Sequence, residues 1–97
     1  MTTDWAKAIK ERKRIRIFYE PGQRLIEPHA YGRSSKGDLL LRAFQVEGAS
    51  ASGEHHYWKL FRLDRMGSSG PGGNFETPRP GYKRGDRAMK GGIIAEL

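Results

Sequence analysis

Residues 14 to 66 divide into four short strand-like runs, with a glycine-bearing turn between each run and the next. No other feature constrains the fold as much. In "RIRIFYE", Ile15, Ile17 and Tyr19 alternate with Arg14, Arg16 and Phe18, the period of two that sends successive side chains to opposite faces of a sheet. "PGQ", Pro21 to Gln23, turns the chain, because proline presets one dihedral and glycine tolerates the opposite sign. "RLIEPHAYGR" is the second run, and Pro28, with no N–H to give a ladder, marks an edge or a bend in it. After "SSKGD" comes "LLLRAFQVE", the most apolar run and the expected central strand. "GASASGE", Gly48 to Glu54, reads as a hairpin loop, and "HHYWKLFRLDRM" as a fourth strand ending in a bend. Four strands at this spacing predict a mainly β domain, a small, strongly bent sheet or barrel.

Both flanks predict short helices. In "TTDWAKAIKERKR", Thr3 or Asp4 is placed to cap a helix, and Trp5, Ala8 and Ile9 share one face of it. "GSSGPGGN", Gly67 to Asn74, is a linker by composition. Beyond it, Asp86 is placed to cap a last helix carrying Ala88, Met89, Ile93 and Leu97, which Gly91 and Gly92 weaken. The expected organisation is therefore helix plus barrel over 1–66, linker over 67–74, and over 75–97 a tail that docks Phe75, Tyr82, Met89 and Ile93.

A chain of 97 residues suits one domain with one modest core. Lys and Arg number 18 against 11 Asp and Glu, a net charge of +7, which favours anionic partners, nucleic acid or nucleotide phosphates above all. The absence of cysteine excludes disulfides and thiolate metal sites. No window of 18 apolar residues and no apolar leader occurs, so the expected setting is the cytoplasm, with no membrane partner.

Catalytic patterns are poor. His29, His55 and His56 are the only histidines, none at metal-ligand spacing. The serines sit in loops without a nucleophile elbow. No catalytic residue, metal ligand or cofactor is expected. What remains is Arg, His and Tyr interleaved along strands. That pattern fits phosphate gripping and base stacking, and equally a barrel core with paired surface arginines.

The order of the motifs carries a resemblance. A helix "WAKAIKERKRIRIFY", then "IEPHAYGR", a glycine turn before "LLLRAF", and "FRLDRM" together resemble the WYL domain of bacterial and phage proteins. The likeness covers about residues 5 to 66, and "FRLDRM" is its most specific piece. The family's name-giving Trp-Tyr-Leu falls here on Leu39, Leu40 and Leu41. Only four residues precede Trp5, where such domains usually follow a DNA-binding domain, so a stand-alone module is expected.

The resemblance implies an Sm-like barrel, related in shape to Src-homology-3 barrels. It also implies a basic pocket for a nucleotide, oligonucleotide or single-stranded nucleic acid. Carried over by motif position, the candidate pocket residues are Tyr19, His29, Arg62 and Arg65. Tyr31 and Arg33 follow His29 at strand spacing and extend the set. Arg62 and Arg65 are three apart, so they converge only if the strand bends near Asp64, which is placed to orient one of them. The expected function is a non-enzymatic ligand-binding module. The alternative is a protein-interaction or self-associating module whose basic charge is incidental.

Overall fold

The computed structural model describes residues 3–50, 53 and 57–97. Helix α1 (Trp5–Lys10) opens with Asp4 as N-cap, its carboxylate accepting from Lys7 N at 3.1 Å, and ends where Arg12 turns to φ 53°. Five strands follow in order: β1 (Lys13–Tyr19), β2 (Gly22–Arg33), β3 (Leu39–Gly48), β4 (Tyr57–Arg62) and β5 (Ser69–Asn74), with a 3-10 turn at Leu63–Arg65 before β5. Strand β6 (Gly92–Glu96) ends the chain.

All pairings are antiparallel, in the order β4-β3-β2-β1-β5, with β6 also on β2. Strand β2 holds the sheet together. Its first half, from Gly22 to Ile26, pairs with β1, and its second half, from Ala30 to Arg33, with β6. Pro28 lies between the two stretches, paired with neither β1 nor β6 and opposite Ala43 of β3. The register against β3 slips between Pro28 and Ala30, a bulge at His29. Twelve straight strand residues would reach about 40 Å, yet the whole molecule measures 28 × 28 × 28 Å, so β2 bends strongly.

The sheet is bent, but it is not the closed barrel that the turn spacing suggests. Strands β4 and β5 end the path, and no pairing joins them among the described residues. The chain leaves β4 through the 3-10 turn, and β5 returns to pair with β1 alone.

Two layers bury the two faces. On one face Trp5, Ala8 and Ile9 of α1 pack with Ile15, Ile17, Ile26, Leu41, Ala43 and Phe61. The inward positions of β1 are those that the alternation of "RIRIFYE" picks out. The other face is covered by the C-terminal tail, where Met89 packs on Ala30 and Leu40 with Tyr82 and Ala88 alongside.

Two expected elements differ. Residues 69–74, expected within a linker, form β5, a strand of Ser, Gly, Pro and Asn held by backbone pairing. The expected C-terminal helix is absent. Asp86 does cap, accepting from Ala88 N at 3.0 Å, but it closes only a turn. Gly91 then passes Ser34 so closely that a Cβ would lie 2.1 Å from the Ser34 carbonyl oxygen. Gly92 at φ 121° swings the chain into β6. Phe75 and Met89 are buried as expected, while Ile93 stays 37% exposed. His55, His56 and positions 51, 52 and 54 of the "GASASGE" loop lie outside the described residues.

Candidate nucleotide-binding cleft

The bulge aims His29 at the tail rather than at solvent, and its side chain is fully buried. Nδ1 lies 2.7 Å from the Glu27 carbonyl oxygen and therefore carries the proton. Nε2 accepts the Arg79 backbone N–H at 3.0 Å. The ring stacks on Phe75 at 5.2 Å, meets Trp58 edge-on at 4.7 Å and lies 5.1 Å from Tyr82. Burial holds its pKa below the ordinary histidine value, so it is neutral in the fold.

Beneath it Glu27 is fully buried and doubly paired. Its oxygens accept from Arg14 Nε at 2.7 Å and from Arg79 Nε and Nη2 at 2.6 and 3.1 Å. Burial alone would raise its pKa, but these bonds outweigh that and hold it below the usual carboxylate range. The Arg79 guanidinium also lies 4.7 Å over the Phe44 ring. The tail is thus fastened to β2 by one arginine, through both its side chain and its backbone.

The other sequence-chosen residues are placed apart from His29. No hydrogen bond, ion pair or ring contact joins it to Tyr19, Tyr31, Arg33, Arg62 or Arg65 among the described residues. Tyr19 packs edge-on to Phe61 at 4.8 Å, and its hydroxyl accepts the Arg62 backbone N–H at 3.2 Å. Tyr31 lies against the core beneath α1. Arg33 is exposed and donates to the Gly37 carbonyl at 2.9 Å.

The expected bend at Asp64 is present as the 3-10 turn. Asp64 binds the Arg62 guanidinium through two hydrogen bonds, at 3.2 and 2.9 Å, and Asp38 lies 3.4 Å from the same group. The bond from Arg62 holds the Asp64 pKa down, and the Arg65 charge adds to the effect. Arg62 therefore already has two carboxylates where a phosphate would have to sit.

The tail builds a different basic site. A cleft of about 580 Å³ runs between β3 and β4 on one side and tail residues 81–87 on the other. Trp58 forms its aromatic wall. Its indole N–H donates to the Pro80 carbonyl at 3.2 Å, and its ring stacks with Tyr82 at 6.0 Å and 29°. Gly81 lets the tail pass this close, since a Cβ there would stand 3.2 Å from the indole nitrogen.

Arg42, Lys83, Arg84 and Arg87 line the same cleft. Asp86 binds Arg42 at 2.6 and 3.2 Å, which pulls the Asp86 pKa down. Glu96 takes Arg84 at 3.2 Å. Lys83 and Arg87 make no ion pair among the described residues, so the cleft keeps uncompensated positive charge. Arg42, Trp58 and the tail cations were absent from the sequence-chosen set. Trp58 and Arg42 are single positions on separate strands, and only the fold brings the tail against them.

No helix among the described residues is long and apolar enough to cross a membrane. No three metal-ligating side chains come together among them. A scan against family models, a search of curated proteins and a search of solved structures each return no match to this chain.

Proposed function

We propose that the chain is a non-enzymatic binding module for a nucleotide or a short stretch of single-stranded nucleic acid, taken in the Trp58–Tyr82 cleft. One observation carries this reading: an aromatic pair stacks inside a cleft lined by four cations, two of them without an ion-pair partner among the described residues. A base stacks on an aromatic face for about 1–3 kcal/mol, and Lys and Arg on the rim meet its phosphates. A cleft near 580 Å³ falls within the range of small-ligand sites, about 300–1,000 Å³. The resemblance to WYL domains belongs to the same proposal. The order of helix, strands and closing 3-10 turn supports it, and a cytoplasmic setting fits such ligands.

The test is titration of a labelled single-stranded oligonucleotide at low and moderate salt, read by anisotropy and by quenching of Trp58. Trp5, buried beneath the sheet, supplies a steady background. Lys83→Ala/Arg87→Ala should weaken binding and flatten the salt slope by about 1.4, since each phosphate contact on a single strand contributes about 0.7. Arg62→Ala/Arg65→Ala should change little. No binding at low salt sinks the proposal, and an unchanged slope in the tail variant moves the site elsewhere.

A second reading has an observation of its own. The open sheet leaves the outer edge of β4 unpaired among the described residues, flanked by Tyr57 at 56% and Leu60 at 39% exposure. Such an edge suits strand addition by a partner or a second copy. Concentration-dependent light scattering separates this self-association from nucleotide binding.

A further inference from the structure

Arg24 is only 5% exposed, and its charge meets no carboxylate among the described residues. Nε donates to the Tyr19 carbonyl at 3.1 Å, Nη2 to the Glu20 carbonyl at 2.5 Å, and Nη1 to the Gln45 side-chain oxygen at 3.3 Å. Its guanidinium lies 5.1 and 5.5 Å from the Tyr19 and Phe61 ring centres. All of these partners are neutral. Buried guanidinium groups are ordinarily paired with an anion, because withdrawing a full charge from water is costly. The contrast within this chain is direct: the cations that reach Glu27 and Asp86 are each matched to a carboxylate.

Five N–H donors belong to a guanidinium, and three are used. One further N–H remains on each terminal nitrogen. A small cleft of about 190 Å³ reaches Arg24, lined also by Tyr19, Ser50, Lys59 and Glu20. Lys59 Nζ lies 3.3 Å from the Ser50 hydroxyl. The Tyr19 hydroxyl accepts from Arg62 N, and its own proton has no acceptor among the described residues. Among the described residues Glu20 is the one acid on the rim, and it makes no ion pair with any of them. It therefore opposes any anion entering the cleft and sets a ceiling on affinity.

We propose that this cleft is a second binding site, distinct from the Trp58–Tyr82 cleft, and that it takes a tetrahedral oxyanion: one phosphate group, free or on a nucleotide. Arg24 supplies the buried charge, Lys59 a second cation at the mouth, and Tyr19 a hydroxyl donor. Charge-assisted bonds from a planar guanidinium match the edge of a phosphate.

The test is titration with inorganic phosphate at constant ionic strength held by chloride, followed by melting temperature and by the Arg24 Nε–H resonance. Phosphate should raise the melting temperature saturably where chloride does not, and shift the Arg24 signal. Lys59→Gln, which spares the buried contacts of Arg24, should weaken the site about tenfold, and Glu20→Gln should tighten it. Lys83→Ala/Arg87→Ala should leave phosphate binding unchanged, which separates this site from the nucleotide cleft. A nucleoside monophosphate matching phosphate in affinity here marks the phosphate alone as the ligand, and tighter binding by the nucleotide extends the site to the attached group. Absence of a phosphate-specific rise, an unmoved Arg24 signal, or a rise that Lys59→Gln and Glu20→Gln both leave untouched overturns the proposal and leaves Arg24 as a fastener of the β1–β2 turn.

Discussion

Arg79→Met tests how the tail is held. The substitution keeps most of the side-chain volume and keeps the backbone N–H that His29 accepts. It removes two hydrogen bonds to a fully buried carboxylate and the cation lying on Phe44. Breaking a buried pair by deleting one partner costs about 3–5 kcal/mol. Two features reduce that here: Arg79 is 35% exposed, and Arg14 still holds Glu27 at 2.7 Å. The expected loss is about 2–3 kcal/mol, against a total stability of about 5–15 kcal/mol for a domain. With a urea dependence of about 1–3 kcal/mol per molar, the unfolding midpoint falls by about 1–2 M. Most of that loss is the carboxylate left short of partners. Glu27→Leu/Arg79→Met, which removes both charges, should therefore regain at least half of it. A single variant within about 0.5 kcal/mol of the parent, or a double variant no more stable than the single, refutes this account.

Two further outcomes follow from the same contacts. His29 has a lowered pKa in the fold, so the unfolded chain takes up its proton first. Stability should fall once pH drops below about 6.5, the ordinary histidine value, at no more than about 1.4 kcal/mol per pH unit for that group. Glu27, also lowered, adds to the loss below about pH 4.3. Melting temperature against pH measures both, and a profile flat from pH 7 to 5 and identical in His29→Gln removes the histidine from the account. In Gly32→Ala the new methyl would stand 2.5 Å from the Gly92 carbonyl oxygen and 3.1 Å from Ile93 Cα, costing about 1–3 kcal/mol and loosening β6. Gly70→Ala, where nothing lies within 4 Å, should stay within about 0.5 kcal/mol, and urea unfolding of the pair decides it.

What was legible in the sequence follows what side-chain periodicity can report. Ile15 and Ile17 alternate with exposed partners, and β1 lies where they put it. Trp5, Ala8 and Ile9 share a helical face, and all three are buried. Strand β5 was illegible because glycine, serine and proline leave no pattern; its identity comes from backbone pairing with β1. There Gly72 packs so closely that a Cβ would stand 2.6 Å from Leu25 Cδ1. Met89 and Ile93 are spaced as on a helix face, but the Gly91 approach to Ser34 breaks the chain between them. The candidate site was half legible. Asp64 does orient Arg62, but nothing in "EPHAY" reveals that a bulge turns His29 inward or that Arg79, fifty positions on, caps it.

The cleft and the tail's fastening are therefore one object. One wall, Arg42 and Trp58, belongs to the sheet; the other, residues 81–87, exists in place only while the tail is docked. The docked tail brings Arg79, Lys83, Arg84 and Arg87 toward a basic face, and that repulsion is offset at three carboxylates: Glu27, Asp86 and Glu96. Protonating Glu27 and Asp86, both held below the usual carboxylate range by their arginines, should weaken the docking and open the cleft together. A ligand that bridges Trp58 to Lys83 or Arg87 does the opposite, stabilising the docked state by an amount set by its concentration relative to Kd. Arg79→Met should accordingly weaken nucleotide binding although Arg79 is absent from the cleft lining. Its effect on occupancy should shrink as ligand concentration rises, because saturating ligand restores the docked tail, while the apparent Kd stays raised. An Arg79→Met protein with the parent's Kd would mean that the cleft persists without its fastening.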